Sequence, residues 1–369
     1  MSVGIYIHVP FCLRKCPYCD FYSVEYDDIT VQKYVYAVCR NIEKYKDMGV
    51  KVDTVYFGGG TPSLLTPEQV GMILNCISDN FITVSPEITL EANPCSVNFD
   101  KLAGYRNAGV NRISLGVQSA DNGQLEFLGR LHNFDLATKA VYDAQSAGFD
   151  NISCDIMLGL AGQDMESLCD TVDRITALPV SHISAYMLKI EKGTPFDKNN
   201  VGRLIAEEDM QCDMYLKTVE RLAEKGFLQY EVSNFASDEK YSRHNLKYWQ
   251  GKEYIGFGPS AHSYFGGKRF YVPKDLPEFI NSPFQIELLS EESPDKFEEY
   301  VIFSIRLKWG IAYDKLSELG GKEVADYIQN KAIVFEKQGL CKVRDGNISL
   351  TPKGFLVSNA IIGEFLDYH

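Results

Sequence analysis

The feature that most constrains this chain is an alternation, from residue 3 to about 190, of short β-branched runs with longer amphipathic stretches. Val3–Val9, Val52–Phe57, Ile88–Ala92, Arg112–Val117, Ile152–Leu158 and His182–Leu188 read as strands. Between them, Ile29–Tyr45 and the segments 99–107, 135–147 and 164–177 read as helices. Thr66-Pro67-Glu68-Gln69 opens another, with a Thr cap, Pro at the first position and Gln three residues after the cap. Strands separated by helices wind right-handed into a parallel sheet. Six strands do not close an eight-fold barrel, so the expected fold is α/β, a partial (β/α)6 barrel over residues 1–190. Such sheets take ligands at the carboxyl ends of their strands. Gly58–Thr61, Glu91, Gln118 and Asp155 all fall at those ends.

Residues 191–290 read as an extension of the barrel, with a long helix at Ala206–Lys225 and an aromatic-rich stretch from Tyr230 to Tyr271. Composition turns polar near Ser290–Pro294, which suggests a linker. Residues 291–369 then give helices and a hairpin, Leu340–Val343 and Ile348–Thr351 around Asp345-Gly346-Asn347, an α+β module that resembles a winged helix. The 37 Lys and Arg against 50 Asp and Glu leave a net charge of −13, which argues against a nucleic-acid partner. No stretch approaches the roughly 18–20 apolar residues of a spanning helix. The start, Met1-Ser2-Val3-Gly4-Ile5, has no basic region followed by an apolar core, so a cytoplasmic location without disulfides is expected.

Three of the ten cysteines cluster: Cys12, Cys16 and Cys19, with three and then two residues between them. The other seven are scattered and read as small buried hydrophobes. A closed zinc site wants four ligands in paired spacing; no second CxxC exists, and His8 lies within a strand. Three thiolates in one short loop suit a [4Fe–4S] cluster with one iron left open to a ligand. The loop follows the first strand, at the rim where an open iron is useful.

The run His8-Val9-Pro10-Phe11-Cys12-Leu13-Arg14-Lys15-Cys16-Pro17-Tyr18-Cys19-Asp20-Phe21 resembles the cluster loop of radical S-adenosylmethionine (SAM) proteins. Its flanks, with Gly-Gly-Gly-Thr-Pro-Ser at 58–63, resemble the family of the oxygen-independent coproporphyrinogen III oxidases and the HemW haem chaperones. That resemblance implies a cluster on Cys12, Cys16 and Cys19 with SAM on the open iron. It implies Tyr6 and Phe21 close to the cluster and the methionine moiety, and Tyr18 near the adenine. Gly59, Gly60 and Thr61 would offer backbone groups to the SAM amino group, and Glu91 would bond the ribose or the amino group. Gln118, Arg130 and Asp155 would complete the polar contacts, Arg130 by pairing with the SAM carboxylate.

Two functional classes follow from the resemblance. An oxidase would decarboxylate coproporphyrinogen propionates by hydrogen abstraction; a chaperone would hold haem and pass it to an acceptor protein. The oxidase pattern has a fourth cysteine where Phe21 stands, and an N-terminal extension where only eleven residues precede Cys12. His244-Asn245-Leu246-Lys247-Tyr248-Trp249 resembles the haem-associated HNxxYW motif of the chaperones. The imidazole would ligate iron, the rings would face the macrocycle, and Arg243 or Lys247 would meet propionates. His262 is a competing ligand. A radical enzyme acting on another tetrapyrrole is the third reading. The implied partners are haem or another tetrapyrrole, a haem-acceptor protein and a one-electron donor, with membrane contact only through the acceptor.

Overall fold

The computed structural model describes residues 2–289 and 294–368. The six strands expected from the alternation are β1 Ser2–Val9, β2 Lys51–Gly59, β3 Ile82–Ala92, β4 Arg112–Gln118, β5 Ile152–Leu158 and β6 His182–Met187. They pair in parallel in chain order. Their crossovers carry α1 Asp28–Glu43, α2 Pro67–Asn80, α3 Phe99–Ala108, α4 Asn122–Phe127, α5 Phe134–Ser146 and α6 Met165–Thr176. Helix starts follow local chemistry: the Thr66 hydroxyl accepts from Gln69 N while the Gln69 side chain accepts from Thr66 N, the capping box expected there.

The aromatic-rich stretch, expected only as an extension, supplies short strands that widen the sheet to twelve. After α7 Pro195–Lys198 and α8 Glu208–Glu224 come β7 Leu228–Gln229, β8 Asn234–Ala236, α9 Arg243–Trp249, β9 Tyr254–Phe257, β10 His262–Phe265, β11 Lys268–Tyr271, α10 Leu276–Asn281 and β12 Glu287–Leu288. The order across the sheet is β12-β11-β10-β9-β1-β2-β3-β4-β5-β6-β8-β7. The sheet stays open, as six parallel strands require, and β1 lies inside it because β9 pairs with it in parallel.

Strand parity divides the core. Outward residues such as Ile5, Ile7, Val55, Leu90, Ile113, Leu115 and Ile156 are buried against helix residues such as Val31, Val35, Ile73 and Val141. The inward face is polar: Tyr6 and His8 on β1, Thr54 and Tyr56 on β2, Glu87, Thr89 and Glu91 on β3, Arg112 and Ser114 on β4, Ser153 and Asp155 on β5, His182 and Ser184 on β6. A barrel that served only as scaffold would fill this space with branched apolar side chains.

The C-terminal part carries α11 Lys296–Ser304, β13 Ile311–Ala312, α12 Tyr313–Gly320, α13 Lys322–Lys337, the hairpin β14 Cys341–Arg344 and β15 Asn347–Leu350, and then α14 Pro352–Leu356 and α15 Ser358–Leu366. The expected hairpin is present, and β13 adds a third strand beside β15. The linker expected near Ser290–Pro294 falls on residues 290–293, outside the described residues. No helix among the described residues is long and apolar enough to cross a membrane.

Candidate functional site

The carboxyl ends of the parallel strands enclose a cavity of about 400 Å³. Cys12, Cys16, Cys19, Tyr18, Phe21, Gly59, Gly60, Thr61, Glu91, Gln118, Arg130 and Asp155 all line it. Tyr6 does not: it lies one layer deeper, stacked on Tyr56 at 6.3 Å, with its hydroxyl 3.1 Å from His8 Nδ1. His8 Nε2 donates to the Tyr22 carbonyl, so Nδ1 is the acceptor, and burial holds this ring neutral.

The cysteine loop is latched from both sides. Gly60 N and Thr61 N donate to the Val9 and Phe11 carbonyls at 2.8 Å each. Those N–H groups are therefore spent on the loop, and only the carbonyls of the glycine turn remain for a ligand's amino group. Glycine is required here by packing as well as by access. Gly59 has φ +110°, and a Cβ on Gly60 would lie 2.7 Å from the Phe11 carbonyl oxygen. On the other side, Phe196 N bonds the Pro17 carbonyl, and the Phe196 ring lies 6.2 Å from Tyr18.

Donors already point at two of the thiols. Thr61 Oγ1 donates to Cys12 Sγ at 3.6 Å, and Arg130 Nη1 to Cys16 Sγ at 3.7 Å. Arg130 also donates through Nη2 to the Gly116 carbonyl at 2.8 Å and bonds Tyr18. Its Nε is buried without a partner among the described residues, as is Nε of Arg112 at the cavity floor. Two buried guanidinium groups with unmade bonds ask for an anionic or carbonyl-bearing ligand. Facing them, burial lifts the Glu91 carboxyl to about 7, although the Tyr56 hydroxyl donates to it at 2.8 Å. Burial also raises Asp155, which accepts from Ser114 at 3.3 Å. A cationic ligand would restore both to the ionised form. Gln118 reaches the cavity from a left-handed backbone, φ +70°, at a register shift between β4 and β5.

Several lining residues were not among the expected ones: Arg112, Ser114, Ser184, Tyr186, Asn93 and Met157. Parity held the signal for the first two, since Arg112, Ser114 and Gln118 share one face of a strand.

The HNxxYW segment forms α9, and the structure splits it over three surroundings. Asn245 lines the main cavity. His244 lies beneath it, 1 % exposed, with Nδ1 2.9 Å from Thr54 Oγ1 and Nε2 2.8 Å from the Tyr248 hydroxyl. Burial pushes its pKa down to about 3. Tyr248 and Trp249 line a second cavity of about 200 Å³ on the far side of the sheet edge. Both ring nitrogens of His244 are thus in hydrogen bonds, and Tyr248 and Trp249 of the motif line the second cavity. His262 is exposed on β10 and stacks on Tyr271 at 5.4 Å.

The radical SAM superfamily model matches residues 6–175, and the HemN C-terminal domain model matches residues 292–357. The heme chaperone HemW of Lactococcus lactis is 32% identical, covering 98% of this chain and 96% of its own length. The Bacillus subtilis heme chaperone HemW is also 32% identical, with 98% of both chains covered. This chain belongs to the HemW family of radical SAM proteins. Coproporphyrinogen III oxidase (HemN) from Escherichia coli has the same fold, with a TM-score of 0.84 at 21% identity over 100% of this chain and 91% of that one.

The radical SAM family brings a [4Fe–4S] cluster and SAM, and the cavity fits both. Among the described residues, no three His, Cys, Asp or Glu side chains converge tightly enough to hold a single metal ion. A cubane places each thiolate on a different iron, so three thiols on one loop suit the cluster. The two unmade guanidinium bonds match the SAM carboxylate and hydroxyls, and the raised carboxyls match its amino and sulfonium charges.

Proposed function

We propose that this chain is a haem chaperone built on a radical SAM site, binding haem and passing it to an acceptor protein. The observation that carries the reading is the full-length 32% identity to proteins named heme chaperone HemW, against 21% to the oxidase. Cavity size supports it. About 400 Å³ is near the lower end of the roughly 300–1,000 Å³ of small-molecule sites, enough for a nucleoside-sized ligand above the thiols. Phe21, 66% exposed, stands where the oxidase pattern has its further cysteine.

In this reading Cys12, Cys16 and Cys19 hold the cluster, which supplies one electron to the sulfonium C–S bond when SAM is bound. Arg130 orients the SAM carboxylate while its other nitrogens keep the loop thiol and the Gly116 carbonyl in place. Glu91 and Asp155 hold the cationic end and the ribose, and the Gly59 and Gly60 carbonyls accept from the amino group. In this reading the chain works in the cytoplasm, where it meets a one-electron donor and a haem acceptor.

Anaerobic reconstitution with iron and sulfide, followed by parallel assays with haem and coproporphyrinogen III, tests the reading. Stoichiometric haem binding without protoporphyrinogen formation is expected. Robust protoporphyrinogen formation with SAM and a reductant would transfer the chain to the oxidase class.

A further inference from the structure

Two of the scattered cysteines depart from the small buried hydrophobes they resemble in sequence. Cys154 and Cys341 are buried, whereas Cys39 and Cys76 are half-buried and stand on neighbouring helices, α1 and α2. These helices are consecutive crossovers of one parallel sheet, so they run side by side in the same direction. The seam between them has a fixed register. Gln69 Nε2 donates to Gln32 Oε1 at 3.2 Å, across a separation of 37 residues. Cys39 and Cys76 are also 37 residues apart, and each lies seven residues, two helical turns, beyond its glutamine. One offset therefore sets glutamine against glutamine and cysteine against cysteine along a single line of contact.

At the cysteine level the groups touch. Cys76 Sγ donates to the Cys39 carbonyl at 3.3 Å, and the Cys39 sulfur is the other acceptor in its reach. Cys39 Sγ lies in the same groove, 4.0 Å from the Met72 carbonyl oxygen. Arg40, Glu43, Asn75 and Asp79 around the pair are exposed, which leaves the groove open to water and small solutes.

We propose that Cys39 and Cys76 form a reversible thiol oxidation site, closed to a disulfide between α1 and α2 by a low-molecular-weight disulfide such as that of glutathione. The Cys39 thiolate attacks one sulfur of the small disulfide, whose S–S bond breaks and whose other half leaves with the electron pair. The Cys76 thiol then gives its proton to water, and its thiolate attacks the Cys39 sulfur, expelling the second half. Two protein thiols are oxidised and one small disulfide is reduced to two thiols, with the protons conserved. The contact with Cys76 favours this order. It holds the Cys39 thiol below its ordinary value, against burial and the charge of Glu43, and lifts Cys76 above its own. The pair lies about 16 Å along α1 from its first residue, away from the carboxyl rim, and so apart from the cluster thiols. The link ties the helices that enter and leave β2, the strand ending in the glycine turn, and confines the unfolded chain.

The test is anaerobic titration of the reconstituted full chain with mixtures of glutathione and its disulfide. Free thiols are then alkylated and the peptides mapped by mass spectrometry without reductant. The parent should yield a linked peptide pair holding Cys39 and Cys76, reopened by excess glutathione, with cluster absorbance retained. In urea the linked chain should unfold with an equilibrium constant lower by about tenfold or more. Cys76→Ser should stop at glutathione on Cys39, and Cys39→Ser should leave Cys76 unmodified; circular dichroism reports whether each variant is folded. Free thiols at both positions throughout the titration, glutathione held on Cys39 of the parent without a link, or Cys76 linked to another cysteine overturns the proposal.

Discussion

Glu91 offers the sharpest quantitative test of the cavity. Its carboxyl is raised from 4.5 to about 7, chiefly by burial and secondarily by the charge of Asp155, against the opposing bond from Tyr56. The folded chain without ligand therefore holds a proton that the unfolded chain has lost between those two values. The contribution of this group is fully present below about pH 4.5 and is lost as pH rises towards 7. A shift of that size corresponds to about 3 kcal/mol. Glu91→Gln keeps the oxygen that accepts from Tyr56 and removes the titration. Urea unfolding of the parent and variant chains from pH 4.5 to 8, without SAM, gives the difference directly. The parent should lose about 3 kcal/mol more than the variant across this window. SAM affinity of the parent should meanwhile rise with pH through 7 more steeply than that of the variant, because the cationic ligand binds the ionised Glu91 while the raised Asp155 is present in both. Parallel stability curves would refute the argument that Glu91 is a buried acid awaiting a cation.

Replacing Cys12, Cys16 or Cys19 by Ala should abolish reconstituted iron and the cluster absorbance, measured by metal analysis and visible spectra. Arg130→Ala should weaken SAM binding by about 2–3 kcal/mol in calorimetry, with some loss of cluster as the Cys16 contact goes. Gly60→Ala should cost the cluster without touching any thiol, because the new Cβ meets the Phe11 carbonyl at 2.7 Å; iron content after reconstitution checks it. His244→Gln should destabilise the chain by about 2–4 kcal/mol in denaturant unfolding, through the bonds to Thr54 and Tyr248.

The strand–helix alternation made the barrel legible because each of its strands is long enough to show a pattern and each is followed by a capped helix. The cysteine spacing and the rim residues Glu91, Gln118 and Asp155 were legible because strand ends bring separated residues to one place, whereas Arg130, between α4 and α5, came from the family resemblance alone. The outer strands β7 to β12 were not, since two to four residues carry no periodicity. The surroundings of His244 were not legible from the motif either. The same letters suit an open ligand or a buried hydrogen-bonded ring, and only the arrival of Thr54, 190 positions earlier, decides between them. Arg112 was hidden as one charge in a strand of otherwise buried neighbours, and its meaning depends on Asp155 and Glu91 from other strands.

The parallel pairing of β1 with β9 has a consequence for synthesis. Residues 4–7 find their partners only at 254–257, so the strand that carries the cysteine loop lacks one neighbour for about 250 residues of translation. At about 5–20 residues per second that is a wait of roughly 12–50 s. For this interval the strand that leads into the cysteine loop keeps one edge unpaired, although the latches from Gly60, Thr61 and Phe196 are already made. A chain cut short before residue 254 should therefore leave that edge of β1 open to pairing with another strand.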